Sequence, residues 1–107
     1  MSYNSVNEGK TAAIISYFWW IGLLIAFVMN NGRNNSFTSF HIRQSIGISL
    51  LFFVIGIVTK YGIPIFGEIL FLGVFVLWVI GLLGAIKGEE KLIPLIGNSF
   101  QNWFKSI

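Results

Sequence analysis

The sequence predicts an all-α integral membrane protein, a three-helix bundle followed by a C-terminal amphipathic helix lying in the membrane interface. Three observations carry this. Of 107 residues, 55% are hydrophobic and only 10% are charged, whereas a soluble domain carries about 25% charged residues to face water. Mean hydropathy is +0.79. The apolar residues are gathered in long runs, and the few charges sit at the ends of those runs. Length sets a single domain, residues 1–107.

The first span is expected at about residues 12–29, from Ala12 to Met29. Eighteen residues make about 27 Å of helix, close to the hydrocarbon thickness of a bilayer. Asn30, Asn31 and Gly32 then offer residue types that close a helix in left-handed conformations. A signal peptide would instead end in a small-residue cleavage site, and none follows, so the span reads as retained.

The second span is expected at about residues 40–59. Ser45 to Val58 alone gives about 21 Å, too short to cross. Phe40, His41, Arg43 and Gln44 therefore supply a first turn at headgroup level. The third span, about 65–87, begins after Pro64, with Glu68 in its first turn and Lys87 at its C-terminus, each on the side that the helix dipole favours. Ile69 to Ile86 contains no charge.

The tail behaves differently. Ile96, Phe100, Trp103, Phe104 and Ile107 recur at helical spacing on one face, opposite Asn98, Gln101, Asn102 and Lys105. Such a helix, about residues 94–107, lies on a membrane instead of crossing it.

Lipid supplies no hydrophobic drive between helices, so contact depends on small and hydrogen-bonding residues. Gly73, Gly81, Gly84 and Gly88 share one face of the third span; His41, Gln44, Ser45 and Ser49 share one face of the second. These faces meet inside one monomer, or the glycine face joins two copies as a homo-oligomer. Three spans place Lys10 and Lys60 on one side, against Arg33, Arg43, Lys87, Lys91 and Lys105 on the other. The positive-inside rule then puts the N-terminus outside and the C-terminus in the cytoplasm.

No chemistry-bearing constellation emerges. There is no cysteine and one histidine, His41, so a metal site lacks ligands. The serines have no base marked by the sequence, and no phosphate-cradling loop is present. The basic residues are scattered singly, unlike the stripe that nucleic acid requires. The expectation is a non-enzymatic protein with no cofactor, no metal and no nucleic-acid partner.

Phe40-His41-Ile42-Arg43-Gln44 resembles the Phe-His-x-Arg-Gln motif of a family of small prokaryotic membrane proteins. That family is grouped with the chloroplast inner-envelope import component Tic-twenty. Ala85-Ile86-Lys87-Gly88-Glu89, followed by Pro94-Leu95, is similar to the pattern after that family's last main span. The resemblance covers the chain from about Lys10 to its end. It implies a plasma-membrane protein of a prokaryote, an accessory or scaffold in membrane-protein handling or translocation. It marks Phe40, His41, Arg43 and Gln44 as motif positions and ligand or partner contacts, with a membrane protein as partner. A small immunity or stress protein that binds a membrane-active peptide or an ion is the alternative.

Overall fold

The computed structural model describes residues 3–32, 35–94 and 96–105. The described residues form five helices and no strand: α1 (Tyr3–Ile15), α2 (Trp19–Asn30), α3 (Ser36–Tyr61), α4 (Pro64–Lys87) and α5 (Gly97–Trp103). The all-α expectation holds. Two helices, α3 and α4, are long and apolar enough to cross a membrane, not three.

The first apolar run is the correction. It is not one helix over residues 12–29 but a hairpin of two, broken at Ser16–Phe18. The Ser16 hydroxyl donates to the Ala13 carbonyl at 2.6 Å, competing with the backbone ladder. The Tyr17 carbonyl accepts the Trp78 indole N–H from α4 at 2.6 Å and is thereby drawn out of the helix. Trp19 then takes a left-handed φ of 62°, a conformation that costs a non-glycine residue about 1–3 kcal/mol. Gly22 packs directly on the Ile15 carbonyl, leaving no room for a Cβ. α2, with 12 residues, reaches about 18 Å, well short of the roughly 30 Å of hydrocarbon.

Contacts fix the direction of each arm. Gly9 lies against Asn35 and Thr38 at the start of α3, and Ser16 bonds Ser45 at 2.9 Å. α1 therefore runs alongside α3 in the same direction, only as far as its middle. α2 returns antiparallel, ending where Asn30 donates to Ser39 and accepts from the Asn35 N–H. Residue 9 and the chain beyond α4 thus sit at the same end of α3, hereafter the near end.

α3 begins four residues earlier than expected, at Ser36, because Asn35 caps it by accepting the Thr38 N–H at 3.0 Å. Its 26 residues make about 39 Å, long enough to cross a bilayer without the extra turn that the expected span needed. Pro64 starts α4 as expected, and Gly88 ends it at φ 76° with Glu89 N–H bonded to Gly84 O, a left-handed cap. Glu68 is the fifth residue of α4, one place beyond its first turn.

α3 and α4 are antiparallel, with Gly67 against Thr59 and the Phe52 and Phe71 rings 5.2 Å apart. The core, Tyr17, Phe37, Ile48, Val74, Ala85, Ile93 and Phe100 among others, gathers in the near half. Of the four helix-packing glycines expected on the third span, Gly81 packs on the Tyr17 ring and Gly84 beside His41. Gly88 is the cap, and Gly73 faces open space.

α5 is shorter than residues 94–107. Its apolar face is divided between the protein and the outside. Phe100 is buried over Gly47, Ile96 and Phe104 pack on the core, and Trp103 is exposed. Ile107 lies outside the described residues. Gly47→Leu should destabilise the protein by about 1–3 kcal/mol, because the Phe100 ring occupies the space needed. Gly56→Leu, with nothing within 4 Å, should change stability by about 0.5 kcal/mol or less. Chemical denaturation in detergent micelles separates the two.

Candidate functional site

The motif residues of α3 lie at the near end, where enclosure by protein makes an unpaired polar atom costly. His41 and Gln44 are fully buried. The rings of Tyr17, Phe37 and Phe40 meet the His41 imidazole edge-on at centroid distances of 5.5, 4.7 and 5.1 Å. α1 ends just before Tyr17, and the break in the first apolar run turns that phenol inward.

Four hydrogen bonds then form one chain whose direction is fixed at both ends. The Glu89 carbonyl can only accept, so His41 Nε2 carries the proton and donates to it at 2.9 Å. In the neutral imidazole Nδ1 must accept, and Tyr17 Oη donates to it at 2.6 Å. The Tyr17 oxygen accepts from Gln44 Nε2 at 3.1 Å. Gln44 Oε1 accepts the Ile93 N–H at 2.8 Å, which also fixes the amide orientation. The protons run from Ile93 through Gln44, Tyr17 and His41 to Glu89 without a conflict.

This chain ties three parts of the fold together: the end of α1, the first turns of α3, and the segment after α4. The two motif stretches, 48 residues apart at His41 and Glu89, are halves of one joint. Beside it, Ser16 donates to Ala13 O, so Ser45 donates to Ser16.

Arg43 leaves α3 on another side and clamps the tail. Its Nη1 donates to Gln101 Oε1 at 3.3 Å and its Nη2 to the Lys105 carbonyl at 3.0 Å. Gln101 Nε2 returns a bond to the Phe40 carbonyl at 2.9 Å. Arg43 Nε is enclosed and has no partner among the described residues. Nearby Glu90 has its carboxyl raised by burial, against the opposing pull of Arg43.

Chemically, both His41 nitrogens are engaged and its neighbours are aromatic, so it is held as a neutral linker. No group of three metal-ligating side chains occurs among the described residues. Of the four motif positions, His41 and Gln44 face the segment after α4, the Phe40 ring packs on His41, and Arg43 faces the tail. Sequence reading missed Tyr17, the centre of the chain. The signal was a phenol inside an apolar run, since a buried Tyr hydroxyl needs a partner.

Comparison with family models, curated proteins and solved structures finds no match for this chain.

Tyr17→Phe should cost about 1–3 kcal/mol, because it leaves His41 Nδ1 and a Gln44 N–H buried without partners. Combined with Gln44→Leu the loss should fall short of the sum of the single variants, which a double-mutant cycle of unfolding free energies would reveal. His41→Ala should free the segment after α4, read as faster tryptic cleavage at Lys91; unchanged cleavage would contradict the joint.

Proposed function

We propose that this chain is a non-enzymatic membrane scaffold of a prokaryotic plasma membrane, Tic-twenty-like, serving membrane-protein handling or translocation as an accessory. The observation that carries this reading is the closed hydrogen-bond chain from Ile93 to Glu89. Its side chains spend their donors and acceptors on joining helices, which suits a fixed framework and leaves no acid–base pair. The likeness to the Tic-twenty family gains support from the way its two motif stretches meet at one joint.

Membrane insertion is supported by the flanks of the long helices. Phe53, Val54 and Ile57 on α3, and Phe66, Ile69, Phe71 and Leu72 on α4, are all exposed. Continuous apolar surface of this kind exceeds what soluble monomers present to water. In this reading α3 and α4 cross the bilayer, and α1–α2 enters from the near end and returns as a re-entrant hairpin. Such broken backbone at membrane depth is tolerated where protein surrounds it.

The orientation follows from charge. Among the described residues the near end holds Lys10, Arg43, Lys87, Lys91 and Lys105, and the far end holds Lys60. Five against one favours a cytoplasmic near end.

Reporter fusions at the two termini should both give cytoplasmic signals, and a reporter inserted at Gly62 an external one. Opposite signals from the two termini would restore the three-span arrangement. Photocrosslinking from position 18 or 53 in native membranes should capture a membrane-protein partner. Capture of self-contacts alone would remove the basis for the accessory role, and capture of a short membrane-active peptide would favour an immunity protein.

A further inference from the structure

Beside the close approach of Gly67 to Thr59, a groove of about 620 Å³ runs between α3 and α4, within the roughly 300–1,000 Å³ range of small-molecule sites. Two opposite charges, Lys60 and Glu68, line it together with the apolar side chains of Phe52, Ile55 and Leu72. The charges belong to its far end. Lys60 is the last residue but one of α3, and Glu68 is the fifth of α4. From Lys60 back to Phe52 is about 12 Å of helix, so the charged end gives way to an apolar trough directed at the middle of the bundle. Gly56 forms part of this trough, and nothing lies within 4 Å of where its Cβ would stand. Resting on the membrane reading above, the charged end faces the headgroups and the trough faces hydrocarbon.

Neither charge is met by protein. The Lys60 ammonium stands over the Tyr61 ring, 5.3 Å from its centroid. Among the described residues no hydrogen bond or ion pair engages that ammonium or the Glu68 carboxylate. The two therefore do not pair with each other, although they line the same groove. Unpaired charges at the edge of hydrocarbon mark a partner's place. That partner must offer an anion to Lys60, a cation to Glu68 and an apolar chain to the trough. An anionic lipid satisfies Lys60 but sets like charge against Glu68. Phosphatidylcholine carries both charges, but its quaternary ammonium has no N–H to donate. A plain hydrocarbon meets neither charge. Phosphatidylethanolamine has a phosphate, a neighbouring primary ammonium that forms charge-assisted hydrogen bonds with carboxylates, and acyl chains.

We infer that the groove holds one phosphatidylethanolamine molecule. Its phosphate accepts from Lys60, its ammonium donates to Glu68, and one acyl chain lies along Ile55, Gly56 and Phe52.

The test is native mass spectrometry of the full chain in mild detergent, titrated in turn with phosphatidylethanolamine, phosphatidylcholine and phosphatidylglycerol of matched acyl chains. One phosphatidylethanolamine should be retained per chain, with a Kd about fivefold below that of either other lipid. Glu68→Gln should erase the preference over phosphatidylcholine, whereas Lys60→Gln should weaken retention of all three. Glu89→Gln, the same change of charge at the near end, should leave the preference intact. Gly56→Leu should lower phosphatidylethanolamine retention at an unchanged unfolding midpoint, because the added side chain fills the trough. Equal retention of the three lipids, or a preference that survives Glu68→Gln, overturns the site. Should Gly56→Leu fail to fold, Glu68→Gln decides, since that side chain is exposed and unpaired among the described residues. Carbonate washing of native membranes is read separately. A chain that washes out overturns the membrane reading itself, and one that stays but shows no lipid preference overturns the site alone.

Discussion

The fold depends on one constraint: the polar groups of Tyr17, His41 and Gln44 are buried where water cannot reach them. Each must therefore find a protein partner, and each does. Because the two ends of the chain are backbone groups, Glu89 O and Ile93 N–H, the bonding pattern has a single allowed direction. A partly satisfied network would cost more than an apolar core. A fully satisfied one fixes the register between α1, α3 and the segment after α4, and so places α5 where Arg43 and Gly47 can hold it.

The same constraint accounts for the hairpin. Bringing the Tyr17 phenol to His41 requires the chain to leave helical geometry there. The Trp78 indole takes up the Tyr17 carbonyl that this frees. The left-handed Trp19 and the close approach at Gly22 are local consequences, tolerated because the near half of the bundle encloses them. The hairpin then stops at the middle of α3, and the aromatic cleft is the space left below its tip. A complete third span would have filled that space with side chains.

Architecture and charge agree. The basic residues among those described gather at the near end, where the tail helix is also docked. α5 keeps Trp103 exposed while Phe100 is anchored in the core, so it lies along the bundle end as part of the protein as well as at its boundary.

The sequence by itself determined the helical class, the extent of α4 from Pro64 to its Gly88 cap, the amphipathic tail, and the stretch from Phe40 to Gln44 as the place to look. These are local properties: composition, periodicity and capping chemistry act over a few residues. It did not disclose the break at Ser16–Phe18, because no Gly or Pro stands there and Ala12 to Met29 has the length and polarity of a span. It also understated α3, whose true start rests on the Asn35 side chain. Only the tertiary structure decided that Tyr17 turns inward to His41, and with it that two helices, not three, run the full length. The physical reason is that a buried hydroxyl is satisfied by whichever partner the fold brings near. For Tyr17 that partner lies 24 residues away, beyond what any local pattern records.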